Sequence, residues 1–195
     1  MKEINIKVIS DVVCNNLFRK FGFINDYKLD FIFSPVDQMI PEILNAGDED
    51  FLLLHLSQYA FNSYGVSELF AANMNEIFVQ LENLIKRSNT KLILNTVYFN
   101  CGSFSQTELV NRKKLASTIN GSVLDFVLSH QSDCILVDVE DLVSSAGFSN
   151  SFSPRNYGVM RFPYSKALGK IISDKYLFHF KSYFINSIFF YFKLF

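Results

Sequence analysis

Residues 51–56 read FLLLHL, five apolar side chains and one histidine. A strand with one face in water would alternate apolar and polar residues. This one does not, so both of its faces must be covered. Six residues suit a strand and are too few for a helix of ordinary length. Two further stretches, 91–99 (KLILNTVYF) and 134–139 (CILVDV), are similarly apolar. Upstream, 4–10 (INIKVIS) and 28–34 (KLDFIFS) are β-branched and more alternating. Strands buried on both faces are characteristic of parallel sheets with helices packed above and below.

The segments between these strands carry helical patterns. Residues 36–44 are short and interrupted by Pro41, which permits two turns or a kink. Residues 67–86 place Leu69, Phe70, Ile77, Leu81, Leu84 and Ile85 on one broad stripe, with Ser67 as N-cap and Glu68 in the first turn. Residues 107–128 bury Leu109, Leu115, Ile119, Val123, Phe126 and Val127, with Gly121 as an interior weak point. The last helix is expected from Ser165, its cap, to about Tyr183. Strand and helix alternate five times, which predicts a doubly wound α/β sheet with right-handed parallel crossovers. The predicted architecture is a three-layer α/β/α, flavodoxin-like domain with a five-stranded parallel sheet of order 2-1-3-4-5. Ligands in such sheets bind at the C-terminal strand ends, at the switch point between the first and third strands. One domain over residues 1–183 is expected, followed by an aromatic tail over 184–195.

Composition narrows the classes of function. Of 195 residues, 49% are hydrophobic and 19% charged, which supplies a core and argues against disorder. A net charge of −1 offers no general attraction to nucleic acid, so no nucleic-acid partner is expected. Cys14, Cys101 and Cys134 are odd in number and widely spaced, without zinc-site spacing. The N-terminus starts a strand pattern at once and has no signal-peptide run, so a reducing cytoplasm is expected. The tail FINSIFFYFKLF is apolar but shorter than the ~20 residues a transmembrane helix needs, and Asn186 and Lys193 interrupt it.

No GxGxxG, GxxxxGK[ST] or GxSxG motif is present, so no cofactor is expected. Ser10 and Asp11 end the first strand near the switch point. They could serve as nucleophile or oxyanion-site residues, or simply cap the next short helix. His55, alone in an apolar strand, fits a satisfied core residue better than a catalyst. Ser57, Gln58 and Tyr59 follow the third strand, and Asn100, Cys101, Gly102 and Ser103 follow the fourth. Their amides and hydroxyls could donate to a ligand, or make ordinary turns. Asp138, Glu140 and Asp141 could bind a hard cation, but a solvated strand end is the better reading, and no metal is expected. The loop 153–165, SPRNYGVMRFPYS, returns to the rim with Arg155 and Arg161. Either arginine could clamp a carboxylate or phosphate.

Several of these stretches together resemble a known family. VISDVVCNNLFRKFGF, FSPVDQMIPEILN, DFLLLHLSQYAFN, TVYFNCGSFSQ, CILVDVEDL and RFPYSKALGKI occur in the order found in the N-terminal domain of FkbH-like proteins. The resemblance covers about residues 4–180, and RFPYS is its most specific element. It implies an SGNH-hydrolase-like fold. It also implies a role beside a haloacid-dehalogenase-type catalytic domain in polyketide-type or surface-polysaccharide biosynthesis. No such catalytic domain follows in this sequence.

SGNH hydrolases open with Gly-Asp-Ser, whereas this chain has Ser10, Asp11 and Val12, with Val12 at the nucleophile position. The Gly-x-Asn-Asp block is matched only by Leu56, Ser57, Gln58 and Tyr59. The closing Asp-x-x-His block falls near residues 157–161 and contains no histidine. The expected function is therefore recognition of a small acyl, glyceryl or sugar-derived ligand, or of an acyl carrier. The ligand is expected among Ser10, Asp11, Ser57, Gln58, Asn100 and Arg161. Two alternatives are an SGNH-type esterase or acyltransferase using Ser10, and a structural partner or remnant whose tail docks a separate haloacid-dehalogenase-type protein.

Overall fold

The computed structural model describes residues 2–24, 26–36, 38–57, 68–98, 105–147, 151–153 and 162–192. Its strands are β1 (Lys2–Ser10), β2 (Phe23–Ile24), β3 (Tyr27–Phe33), β4 (Phe51–His55), β5 (Lys91–Asn95) and β6 (Cys134–Val137). They form one sheet in the order β2-β3-β1-β4-β5-β6. The five parallel strands lie in the order expected from the sequence. The sheet has six strands rather than five because β2 adds antiparallel to the edge of β3. A two-residue strand has no period to read, so no pattern announces it. It shields part of an otherwise open edge.

Among the described residues six helices flank the sheet: α1 (Asn15–Phe18), α2 (Met39–Leu44), α3 (Glu68–Arg87), α4 (Gln106–Ser129), α5 (Val139–Ala146) and α6 (Lys166–Phe192). One face of the sheet packs on α1, α5 and α6 through Val8, Phe51, Leu53, Ile93 and Val137. The other face packs on α2, α3 and α4 through Ile9, Leu52, Leu54, Leu92 and Leu94. Adjacent residues of β1, β4 and β5 thus point into different cores, which explains the continuous apolar runs. The side chains of Leu69, Phe70 and Leu109 lie outside the described ones. Helix α4 passes through Gly121 unbroken.

Three boundaries differ from expectation for identifiable reasons. The last two strands stop earlier, at Asn95 and Val137, because the chain turns there into side-chain-bonded ends. Val139 then begins α5, a helix the sequence reading took for a strand end. Its signal was present in Val139, Leu142, Val143 and Ala146, an i, i+3, i+4, i+7 set packed in the core. Helix α6 runs nine residues past Tyr183. Its buried row, Leu168, Ile172, Tyr176, Phe180 and Phe184, repeats every four residues and continues beyond that point. Phe184 stacks on Tyr27 at 4.5 Å between ring centroids. No described helix is long and apolar enough to cross a membrane.

Candidate functional site

The switch point lies where β1 and β4 end side by side. Their parallel register pairs Ser10 with His55, so both side chains enter the α1/α6 face of the sheet. Ser10 is buried, and its Oγ accepts a hydrogen bond from the Val12 N–H at 3.2 Å. Asp11 turns toward β4. Its Oδ1 accepts from the Ser57 N–H at 2.8 Å, and its Oδ2 accepts from the Ser57 hydroxyl at 2.6 Å. One carboxylate thus ties the residue after β1 to the segment after β4 through charge-assisted bonds. The capping role considered for Ser10 and Asp11 is not the one they take. Cys14 occupies the N-cap of α1, and no side chain caps that helix.

His55 is fully buried and satisfied on both sides. Its Nδ1 lies 2.8 Å from the Tyr176 hydroxyl and its Nε2 lies 2.8 Å from the Tyr164 hydroxyl. A neutral imidazole has one donor and one acceptor nitrogen. One tyrosine therefore donates to the ring and the other accepts from it. Burial pushes the His55 pKa down to about 3, which keeps the ring neutral. Burial also holds the Tyr176 phenol well above its ordinary value, and the nearby Cys14 reinforces this. Burial pushes the Cys14 thiol up to about 12; its hydrogen bond with Ser10 acts against that shift and the Asp11 charge adds to it. Ser10 and Cys14 thus lie beside the Tyr176–His55–Tyr164 chain as a polar seam within an aromatic core, with Cys14, His55 and Tyr176 held neutral by burial.

The ends of β5 and β6 are built differently. Asn95 accepts from the Leu56 N–H and donates to the Leu56 carbonyl, both at 2.8 Å. Asn120, from α4, does the same for Val97, at 2.7 and 2.9 Å. Each carboxamide replaces a neighbouring peptide group just past the end of a strand. Thr96 donates to Asp138 Oδ1 and accepts from the Glu140 N–H. Asp138 caps α5 by accepting from the Asp141 N–H. The three carboxylates thus start a helix. Among the described residues no group of three histidine, cysteine, aspartate or glutamate side chains is arranged to hold a metal ion.

The base of the long loop closes where residues 151–153 meet 163–165. Phe152 bridges to Tyr164, and Ser153 N–H donates to the Pro163 carbonyl at 2.8 Å. Ser165 caps α6 as the sequence suggested, its Oγ accepting from the Leu168 N–H. Of the expected site residues, Ser10, Asp11 and Ser57 come together. Gln58, Asn100 and Arg161 lie outside the described residues, as do Tyr59, Cys101, Gly102, Ser103 and Arg155. The sequence reading missed Tyr164, Tyr176 and Cys14 as partners of the seam. Tyr164 lies within the RFPYS element, but nothing local links Tyr176 to a histidine 121 positions away.

No protein-family model matches the chain, and no curated protein sequence does. The solved structures that share its fold include three of note. One is the N-terminal part of a Bacteroides fragilis protein containing a phosphatase domain, at TM-score 0.69 and 11% identity over 91% of this chain. The chain spans about half of that structure, 51% of its length. Another is a Bacteroides fragilis protein described as a candidate acylhydrolase, at TM-score 0.55 and 12% identity, covering 90% of this chain and 85% of that one. The third is a salicylyl-acyltransferase from a tetracycline biosynthetic pathway, at TM-score 0.55 and 9% identity, covering 90% and 53%. At such identities the likeness is one of fold. The shared fold is α/β, with a mostly parallel sheet.

Proposed function

We propose that this chain is a non-classical SGNH-like recognition domain that holds a small acyl, glyceryl or sugar-derived ligand at the β1/β4 rim. The observation that carries the reading is the state of Ser10 and His55. Ser10 is buried against Val12 and Cys14. The histidine beside it has both nitrogens engaged by tyrosines. A serine hydroxyl needs an adjacent base to attack at neutral pH, and a neutral imidazole locked on two phenols is not one. The Asp11–Ser57 pair is the fixed polar element on which ligand contacts by Gln58, Asn100 and Arg161 would be arranged.

The setting we infer is bacterial surface-polysaccharide or polyketide-type biosynthesis, alongside a haloacid-dehalogenase-type protein or an acyl carrier. The FkbH-like resemblance supports it, and residues 184–195 would be the docking segment. The acylhydrolase and acyltransferase folds among the neighbours favour a second reading, an esterase or acyltransferase using Ser10. A serine-reactive fluorophosphonate probe applied to the full chain separates the two. Recognition predicts no Ser10-dependent labelling. Labelling that disappears in Ser10→Ala would overturn the proposal in favour of the enzyme.

A further inference from the structure

A cleft of about 380 Å³ opens between α1 and the first turns of α6, outside the seam. Its floor is apolar: Leu17 and Phe162 are buried, and Gly169 lies between them. A Cβ at Gly169 would come within 3.2 Å of the Phe162 ring and 3.8 Å of the Leu17 side chain. The missing side chain therefore leaves room on the floor. The rim is cationic, with Lys20 from the segment after α1 and Lys166 and Lys170 from α6. Asp174 is the acidic residue lining it, so the cleft carries a surplus of positive charge on a chain whose net charge is −1.

The three lysines are exposed, and among the described residues none is ion-paired. Lys166 and Lys170 are spaced i, i+4, so they face each other as like charges and weaken the helix that carries them. Lys166, the first residue of α6, also stands at the end where the helix dipole disfavours a cation. Helix stability does not account for this placement. An anion in the cleft would reverse both effects while its apolar part covered Leu17 and Phe162.

We propose that the α1/α6 cleft binds an amphiphilic organic phosphate, with its phosphate among Lys20, Lys166 and Lys170 and a short alkyl or acyl chain on the Leu17–Gly169–Phe162 floor. This site is separate from the Ser10–Asp11–Ser57 rim and does not depend on the reading given for it. Such a phosphate could arrive free or as a lipid headgroup, and the small, apolar-floored cleft favours the free molecule.

The test is calorimetric titration of the full chain with hexyl phosphate, inorganic phosphate and hexanol. Saturable hexyl phosphate binding is expected, with the other two each weaker by about tenfold or more, since each supplies one half of the recognition. In Lys166→Gln/Lys170→Gln, hexyl phosphate binding should fall about tenfold. The thermal midpoint of that variant should hold or rise, because a like-charge pair is removed. Asp11→Asn, at the other site, should leave hexyl phosphate binding unchanged. Equal affinity for hexyl and inorganic phosphate, or unchanged binding in the lysine variant, would overturn the proposal. So would association with phosphatidic acid vesicles without binding of hexyl phosphate.

Discussion

The two halves of the sheet's C-terminal rim solve the same problem with different partners. At β5/β6, Asn95 and Asn120 satisfy the backbone of Leu56 and Val97, and Asp138 satisfies the start of α5. Side chains there complete the main chain. At β1/β4, His55 bonds two tyrosine side chains from distant segments, and Asp11 accepts from a serine hydroxyl as well as a backbone N–H. Side chains there mostly satisfy one another. A polar group that completes the backbone is needed by any sequence with this fold. A buried network of side chains could in principle be replaced by apolar residues of the same shape. The bonds of His55 to its two tyrosines are therefore the part of the rim that the backbone does not require, whereas Ser10 and Asp11 each also accept from a backbone N–H.

Two substitutions of similar size should separate the halves. His55→Leu strands the Tyr176 hydroxyl and takes one partner from Tyr164, and a buried hydroxyl left unpaired costs about 1–3 kcal/mol. Asn95→Leu strands the N–H and carbonyl of Leu56 at a similar cost of about 1–3 kcal/mol for each group. The rescues should differ. Adding Tyr164→Phe and Tyr176→Phe to His55→Leu removes both hydroxyls that His55 bonded, the stranded one of Tyr176 included, and should recover most of the loss. No companion substitution can remove a peptide group, so Asn95→Leu should resist rescue. Urea midpoints of these three variants and the wild type would measure this. If the triple variant were no more stable than His55→Leu, the two halves would not differ as argued.

Acid should act on the β1/β4 half first. His55 is held neutral in the folded protein, at about 3, by burial. Its unfolded value is about 6.5. Between these values the unfolded chain binds the extra proton. Stability is thus undiminished by His55 above pH 6.5 and falls as the pH drops from there toward 3. The slope approaches about 1.4 kcal/mol per pH unit for one proton. Carboxylates lowered by their partners, such as Asp133 beside Lys91, add to the loss only in the more acid part of that range. His179 is also lowered, by burial and then by Lys175, but it is only partly buried. Denaturant midpoints at pH 7 and pH 5 should therefore differ strongly in the wild type and in His179→Gln, and little in His55→Leu with both tyrosines changed to phenylalanine. A steep fall in that last variant would place the acid sensitivity elsewhere.

The sequence disclosed the parallel frame because FLLLHL and its companions must be covered on two faces. It also disclosed Ser165 as a cap, since capping is local. It did not disclose β2, which is too short to have a period, or α5, whose apolar set was hidden behind three carboxylates. His55 could be read as a satisfied core residue, but its partners could not be named. Tyr164 and Tyr176 reach it only because the loop base and α6 fold back over β4. Ser10, Asp11 and Ser57 were legible because strand ends converge by topology. The lysine cleft was not, because Lys20 and the α6 pair are more than 140 positions apart and meet only through α1 packing on α6.

The smallest effect should come from the local cap at the β5/β6 end. Asp138→Ala removes the acceptor for the Asp141 N–H and the partner of the Thr96 hydroxyl. Loss of an N-cap costs about 0.5–2 kcal/mol. Asp138→Ser keeps an N-cap oxygen and should recover most of the cap contribution, because the cap needs an acceptor more than a charge. Thermal melts of the two variants against wild type would test it. Both should leave hexyl phosphate binding untouched, since α5 does not line the lysine cleft. If Asp138→Ser were as destabilised as Asp138→Ala, the carboxylate would matter for more than the turn it completes. The β5/β6 end would then resemble the β1/β4 end in depending on charge.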